Sequence, residues 1–329
     1  MKYILLVEKL RFVYGIINIK YNFEGDNMAF YITGDCHRNF RKTEIFCRYN
    51  NTSKKDYMIV LGDAGINFYM DESDKELKRR LSDLPIRFLM VHGNHEERPF
   101  RIRSYVEREW QGGSVYVEEE FPDLLFAKDG EIYDFDGKKG MAIGGAYSID
   151  KEYRLRSGIP WFETEQPSKE IKQYVEEQLE KAWWQVDYVF SHTAPRSMEP
   201  TNLFLKLSGM EKVDKSTEDW LERICKNLSY QKWYFGHYHE NRIYQKAEML
   251  FEEIKELGAE DFLQRIGRPK YQLEERVGFI WNTGNEQVKL YGKIVVVDAY
   301  GTLFQTREVS YDIQVGNTWY KYIKESEII

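Results

Sequence analysis

The stretch Ala29-Phe30-Tyr31-Ile32-Thr33-Gly34-Asp35-Cys36-His37 decides the fold. An apolar run of strand length passes at a glycine into metal-binding residue types, as a buried strand does when it delivers polar side chains to a sheet edge. The same device recurs four times. Tyr57 to Leu61 precedes Gly62-Asp63, and Ile86 to Val91 precedes His92-Gly93-Asn94-His95-Glu96. Tyr188-Val189-Phe190 precedes Ser191-His192, and Trp233-Tyr234-Phe235 precedes Gly236-His237-Tyr238-His239. All 6 histidines of the 329-residue chain lie in these clusters, so the histidines mark one sheet edge.

Between the clusters the pattern changes to helical. Phe40 to Asn50, Glu72 to Leu84 and Ser168 to Trp184 read as helices, the last with Pro167-Ser168 as a start signal. Alternation of strands and helices predicts βαβ units and an α/β fold. From Gly113 to Gly145 short β-type runs are separated by Asp129-Gly130 and Asp136-Gly137, which predict hairpins and a second sheet packed on the first. Tyr147 to Pro167 reads as a long loop, a feature more often functional than idle inside a compact domain. Tyr244 to Leu257 reads as a helix ending at Gly258.

Further on, apolar runs at Val277 to Trp281, Val288 to Val297, Thr302 to Gln305, Tyr311 to Val315 and Trp319 to Ile323 alternate with glycines, which predicts a small β-barrel-like unit. The expected organisation is a domain over 28–262 and a β-rich domain over 270–329. Residues 1–27 are expected to be an extension, with translation starting at Met28; an extra edge strand or helix is the competing reading.

A hydrophobic fraction of 42% with 16% aromatics excludes a disordered chain. The net charge of -7 gives no basic footprint for nucleic acid, although a local groove could still be basic. Three cysteines without CxxC spacing exclude a disulfide framework or a cysteine zinc site and point to a reducing, cytoplasmic setting. The apolar stretch Tyr3 to Ile19 is broken by Glu8, Lys9 and Arg11, so neither an export signal nor a membrane span is read there.

The clusters carry chemistry through their spacing. Residues two apart at a strand end point the same way, so Asp35 with His37, and His237 with His239, can each chelate one ion. Asp63 can bridge two cations through its two oxygens, and Asn94 can add an amide oxygen. Two cations roughly 3.5–4 Å apart hold a water or hydroxide, lower its pKa and clamp an in-line displacement at phosphorus. No nucleophile elbow and no glycine-rich phosphate loop competes with that reading.

The ordered set Asp35-x-His37, Gly62-Asp63, Gly93-Asn94-His95-Glu96, His192 and Gly236-His237-x-His239 resembles the calcineurin-like metallophosphoesterase family. The resemblance implies a two-sheet α/β/β/α sandwich and a dinuclear centre of manganese, with iron or zinc as alternatives. It implies a first metal on Asp35, His37, Asp63 and His239 and a second on Asp63, Asn94, His192 and His237. His95 would contact the phosphate or protonate the leaving oxygen. Where protein-phosphatase members carry Gly-Asp-x-x-Asp-Arg-Gly, this chain has Ile66 in place of the aspartate that orients the histidine and Asn67 in place of the phosphate-binding arginine.

The segment Gly144 to Lys151 with Arg154 is similar to a bacterial and phage-borne subgroup. Arg98 and Arg154, with Asn94, are the candidate substrate-binding residues. His92, without a family role, is expected to be structural. The expected function is metal-dependent hydrolysis of a phosphomonoester or phosphodiester, with a nucleotide or nucleic acid within that class. The alternatives are a serine/threonine protein phosphatase and a non-catalytic metal-binding scaffold, with the β-rich tail recruiting a partner that the sequence does not identify.

Overall fold

The structure, a computed structural model, describes residues 28–201, 204, 213–258, 269–282, 286–298 and 309–329. The extension 1–27 and the run Thr302 to Gln305 lie outside the described residues. The chain divides into two compact units between Lys255 and Glu256.

The first unit is built on two sheets. One comprises β1 (Phe30–Thr33), β2 (Tyr57–Val60), β3 (Arg87–Met90), β4 (Tyr105–Trp110), β5 (Gly113–Glu118), β6 (Leu124–Ala127) and an edge strand, β13 (Ile254–Glu256), in the order β13-β1-β2-β3-β6-β5-β4. The other comprises β7 (Ile132–Phe135), β8 (Lys138–Ile143), β9 (Tyr188–Ser191), β10 (Lys232–Phe235), β11 (Arg242–Ile243) and β12 (Ala247–Met249), in the order β11-β12-β10-β9-β8-β7. The motif-bearing strands β1, β2 and β3 are parallel, as are β9 and β10. Their near-continuous apolar runs fit strands buried on both faces.

Alternation sorts these side chains between layers. Phe30 faces the partner sheet, meeting Phe135 at 5.0 Å between ring centroids, and Phe135 meets Phe190 at 5.1 Å. Tyr31, one residue on, packs against Phe46 at 4.8 Å on the outer helix α1 (Arg41–Asn50). Helix α2 (Glu72–Ser82) adds Leu77 and Leu81 to that outer core. Over the second sheet, α4 (Lys169–Lys181) and α5 (Ser216–Asn227) bury Val175, Leu179, Trp220 and Ile224. The expected α/β/β/α sandwich is therefore the fold of this unit. Helix α5 escaped the sequence reading, although Trp220, Leu221, Ile224 and Leu228 carry a helical period.

Three expectations change. Tyr133 and Phe135 belong to the second sheet, so Asp129-Gly130 is a crossover between sheets, whereas Asp136-Gly137 is the hairpin turn joining β7 to β8. The segment Tyr147 to Pro167 holds a short helix, α3 (Lys151–Ser157), ended by Gly158 at φ 66°. The helix expected over Tyr244 to Leu257 is instead β12, parallel to β10, followed by β13 at the edge of the other sheet. Burial of Ala247 and Met249 in the sheet core outweighs the local helical preference of Glu248 and its neighbours.

The second unit carries an antiparallel sheet in the order β14 (Arg276–Asn282), β15 (Gln287–Asp298), β16 (Ser310–Val315) and β17 (Thr318–Lys324). Its core is Val277, Phe279, Ile294, Tyr311, Ile313 and Ile323. The last residues return to the first strand: Phe279 bridges Ile328, and the Ile329 N–H donates to the Gly278 carbonyl at 2.8 Å. That closure gives the sheet its barrel-like character.

Candidate metal centre

Each cluster leaves the carboxyl end of a parallel strand, which gathers all of them at one edge of the first unit. The backbone there is bent to bring them closer. His37, Asp63, His237 and His239 adopt φ of 44°, 48°, 70° and 53°, a region that costs a non-glycine residue free energy and clusters at functional sites. The Asp63 carbonyl accepts the N–H groups of both Cys36 and His37, at 3.1 and 2.7 Å. Cys36, between two candidate ligands, turns its side chain into the apolar core, and burial pushes its thiol up to about 11.

Two groups of lone pairs converge. In the first, Nε2 of His37 and Nε2 of His239 are 2.8 Å apart, with Asp35 Oδ2 at 3.6 and 3.3 Å from them. Asp35 Oδ2 is buried without a hydrogen-bond partner, while Oδ1 accepts the His237 N–H at 2.8 Å. In the second, Nε2 of His192 lies 2.8 Å from Asn94 Oδ1 and 3.5 Å from Asp63 Oδ1. His192 Nδ1 faces the Leu61 carbonyl at 2.8 Å, which makes Nδ1 the donor and leaves a lone pair on Nε2. Asp63 joins the groups, because its Oδ2 stands 3.8 Å from His37 and 4.0 Å from His95.

Acceptors turned toward one another, with an orphaned buried carboxylate oxygen among them, are the arrangement a cation resolves. These residues therefore fit a divalent metal, and oxygen and imidazole donors suit manganese, iron or zinc. The electrostatics agree. Burial pushes Asp35 up, but His239 and His37 outweigh it and hold the carboxyl well below the usual range. Asp63 likewise is raised by burial and lowered overall by His192 and His95. Burial and neighbouring His192 push His237 down to about 3, favouring the neutral ring that ligates.

The structure brings together Asp35, His37, Asp63, Asn94, His95, His192 and His239. The ring of His237 is 5.0 Å from that of His192, centroid to centroid. Arg154 also arrives, with Nη2 at 3.2 Å from His95 Nδ1, but it is 1% exposed. Arg98 lies behind the cluster, with Nη2 buried and without a hydrogen-bond partner. It is 2% exposed, paired with Asp129 and donating from Nε to the Thr164 carbonyl at 2.7 Å. Asn67, at the place of the missing arginine, is bonded to the Tyr105 hydroxyl at 3.1 Å, and Ile66 is fully buried.

Three residues were not anticipated as site residues. Ser148 Oγ accepts from Asn94 Nδ2 at 2.9 Å, Glu165 takes hydrogen bonds from Ser148, and Phe68 stacks on His95 at 6.2 Å. The signal available for Ser148 was its place in the segment leading to Arg154.

A family model described as calcineurin-like phosphoesterase matches residues 28–241. No curated protein matches the sequence. Among solved structures, the chain is similar to the phosphopantetheinyl hydrolase of Mycobacterium tuberculosis, at 13% identity over 69% of this chain and 89% of that one, with a TM-score of 0.36. It is also similar to TT1561 of Thermus thermophilus, at 10% identity over 69% of this chain and 97% of that one, TM-score 0.38. A third is AQ665 of Aquifex aeolicus, a protein of unknown function, at 15% identity over 51% and 81% of the two chains, TM-score 0.26.

Proposed function

The chain belongs to the calcineurin-like phosphoesterase family, and from that membership we propose that it hydrolyses a phosphomonoester or phosphodiester with two divalent cations, manganese first among them. One cation is assigned to Asp35, His37, Asp63 and His239, and the other to Asp63, Asn94, His192 and His237. The observation that carries this reading is the shared carboxylate: Asp63 offers Oδ1 to the His192 group and Oδ2 to the His37 group. Bound there, such cations activate water and offset phosphate charge.

The chain's own residues supply the rest. His95 is assigned the contact to the phosphoryl group, since its Nε2 stands 4.0 Å from Asp63 Oδ2 at the centre of the cluster. The Asn94 amide is assigned to cation and substrate positioning. Arg154 contributes through His95, and Arg98 from behind the site, where it holds Asp129. The protein-phosphatase alternative is disfavoured by Asn67, whose amide is spent on Tyr105.

The reading includes a catalytic domain over 28–262, a β-rich domain over 270–329 and a reducing compartment, consistent with three free cysteines. Among the described residues no helix is long and apolar enough to cross a membrane. The test is hydrolysis of aryl phosphate mono- and diesters with added Mn²⁺, comparing the wild type with Asp63→Asn. Turnover by the wild type that the variant loses supports the reading. Equal rates refute it, and stoichiometric metal without turnover favours the scaffold alternative.

A further inference from the structure

The imidazole assigned to the phosphoryl contact has a guanidinium at its outer nitrogen. Nδ1 of His95 faces Nη2 of Arg154 at 3.2 Å. A guanidinium donates five hydrogen bonds and accepts none, so in this contact the ring nitrogen supplies the lone pair. The proton of the neutral ring then resides on Nε2, which stands 4.0 Å from Asp63 Oδ2.

Arg154 is itself held from several sides. Nη1 donates to Ser148 Oγ at 3.2 Å, Nε lies 3.9 Å from Asp150 Oδ2, and the guanidinium carbon sits 5.5 Å from the centroid of the Phe68 ring. Phe68 stacks on His95 with an interplanar angle of 18°, so one aromatic ring supports both partners. The same Ser148 hydroxyl accepts from Asn94 Nδ2 at 2.9 Å, which turns Asn94 Oδ1 toward His192. Ser148 is tied in turn to the Glu165 carboxylate, and Glu165 Oε2 accepts the Trp161 indole N–H at 2.7 Å. One hydroxyl thus links the arginine behind the imidazole to the amide beside the metal cluster.

We propose that Arg154, anchored by Ser148, is the positioning residue for His95, fixing Nδ1 as an acceptor and presenting Nε2–H to the reaction centre. The proposal rests on the phosphoesterase reading for its functional meaning and on hydrogen-bond polarity for its content. A carboxylate behind the ring would impose the opposite polarity, because it would accept the proton of Nδ1. At Nδ1 of His95 the structure has the Arg154 guanidinium instead. The segment from Gly144 to Pro167 therefore carries the hydroxyl and the arginine that orient two site residues at once. Under this assignment His95 serves as a fixed hydrogen-bond donor to a phosphoryl oxygen.

The experiment is side-chain ¹⁵N NMR of the full histidine-labelled chain, metal-free and loaded with diamagnetic Zn²⁺, with His95 assigned by its loss in His95→Gln. The expected spectrum has unprotonated Nδ1 and protonated Nε2 in the wild type. Arg154→Ala should release the ring to a mixture of tautomers, and Arg154→Lys, which keeps a donor, should restore the fixed one. On aryl phosphates Arg154→Ala should lower kcat by about 10- to 100-fold with partial recovery in Arg154→Lys.

A protonated Nδ1 in the wild type overturns the proposal, and this measurement needs no variant to fold. So does an Arg154→Ala chain whose His95 tautomer is unchanged, or one that raises KM alone. If no phosphoester is turned over while the wild-type tautomer is as expected, the phosphoesterase reading fails and the positioning role stands.

Discussion

Nε2 of His192 and Oδ1 of Asn94 face each other at 2.8 Å, and neither has a proton to offer the other. His192 Nδ1–H donates to the Leu61 carbonyl, and Asn94 Nδ2 donates to Ser148 Oγ, so both orientations are enforced from outside the pair. The repulsion stored there is relieved by a cation, and metal binding is therefore linked to folding. Zn²⁺ or Mn²⁺ at about 100 times its Kd should stabilise the chain by about 2.7 kcal/mol per site against unfolding. Asp63→Asn should cut the response at both sites and Asn94→Ala at one. Calorimetry with metal quantification reads both, and a melting temperature indifferent to metal in the wild type contradicts the assignment.

The pH dependence of metal binding has a defined sign. Burial lowers His37, but Asp35 and Asp63 more than offset it and leave the ring above its ordinary pKa. Burial and the Asp63 charge push Glu96 up to about 8, while its carboxylate takes N–H groups from Gly65 and Gly93. Glu96 therefore holds its proton near neutrality in the metal-free chain, and His37 keeps one to higher pH than an ordinary imidazole. A cation needs the His37 lone pair and favours an ionised Glu96, so binding expels protons and affinity rises with pH until about 8. Titration calorimetry at pH 7 in buffers of different ionisation heat should show net proton release that fades at alkaline pH, with a smaller release in Glu96→Gln. Net proton uptake would rule this out.

How far the sequence carried this picture follows from where the free energy resides. The strands and the clusters at their ends were legible because an apolar run ending in Gly-Asp or Gly-Asn-His reads as a buried strand that delivers polar side chains to a sheet edge. Strands β12 and β13 were not legible, because Ala247 to Glu256 has helical local preference and is made strand by pairing with β10 and with β1, the latter far away in sequence. Arg98 and Arg154 looked alike as arginines near a phosphate site. Only packing separates them, one onto Asp129 and the other onto His95. Ser148 acts through three partners brought together by folding, a relation that no spacing in the chain expresses.

His92, buried and outside the ligand set, gives a prediction about stability. Burial, followed by the Arg98 charge, holds its pKa well below the ordinary value in the folded chain. The unfolded chain binds the proton more readily, so this residue supports folding above about pH 6.5 and that support is lost as the pH falls below it. His92→Leu, similar in volume, should flatten the decline in stability between about pH 6.5 and 5 while leaving metal stoichiometry unchanged. Urea unfolding across that range is the measurement. A parallel decline in the two proteins would show that His92 does not stay neutral in the fold, and loss of metal would make it part of the centre.

Gly93 tests how tightly the second strand end and the third are pressed together. A Cβ there would lie 2.0 Å from Asp63 Oδ1 and 2.1 Å from the Asp63 backbone nitrogen, and a backbone atom cannot step aside as a flexible side-chain tip can. Gly93→Ala should therefore displace Asp63, the carboxylate common to both lone-pair groups, and cost about 1–3 kcal/mol of stability from overpacking. Its larger effect should be on metal, with weakened binding at both sites. Gly137→Ala is the matched control. Its Cβ would meet nothing within 4 Å, and its φ of 83° charges only the left-handed strain of about 1–2 kcal/mol. The two variants should thus lose comparable stability but differ in metal binding, measured by urea unfolding alongside metal titration. Wild-type metal affinity in Gly93→Ala would mean that Asp63 can move without loss, and its bridging position would then no longer explain the centre.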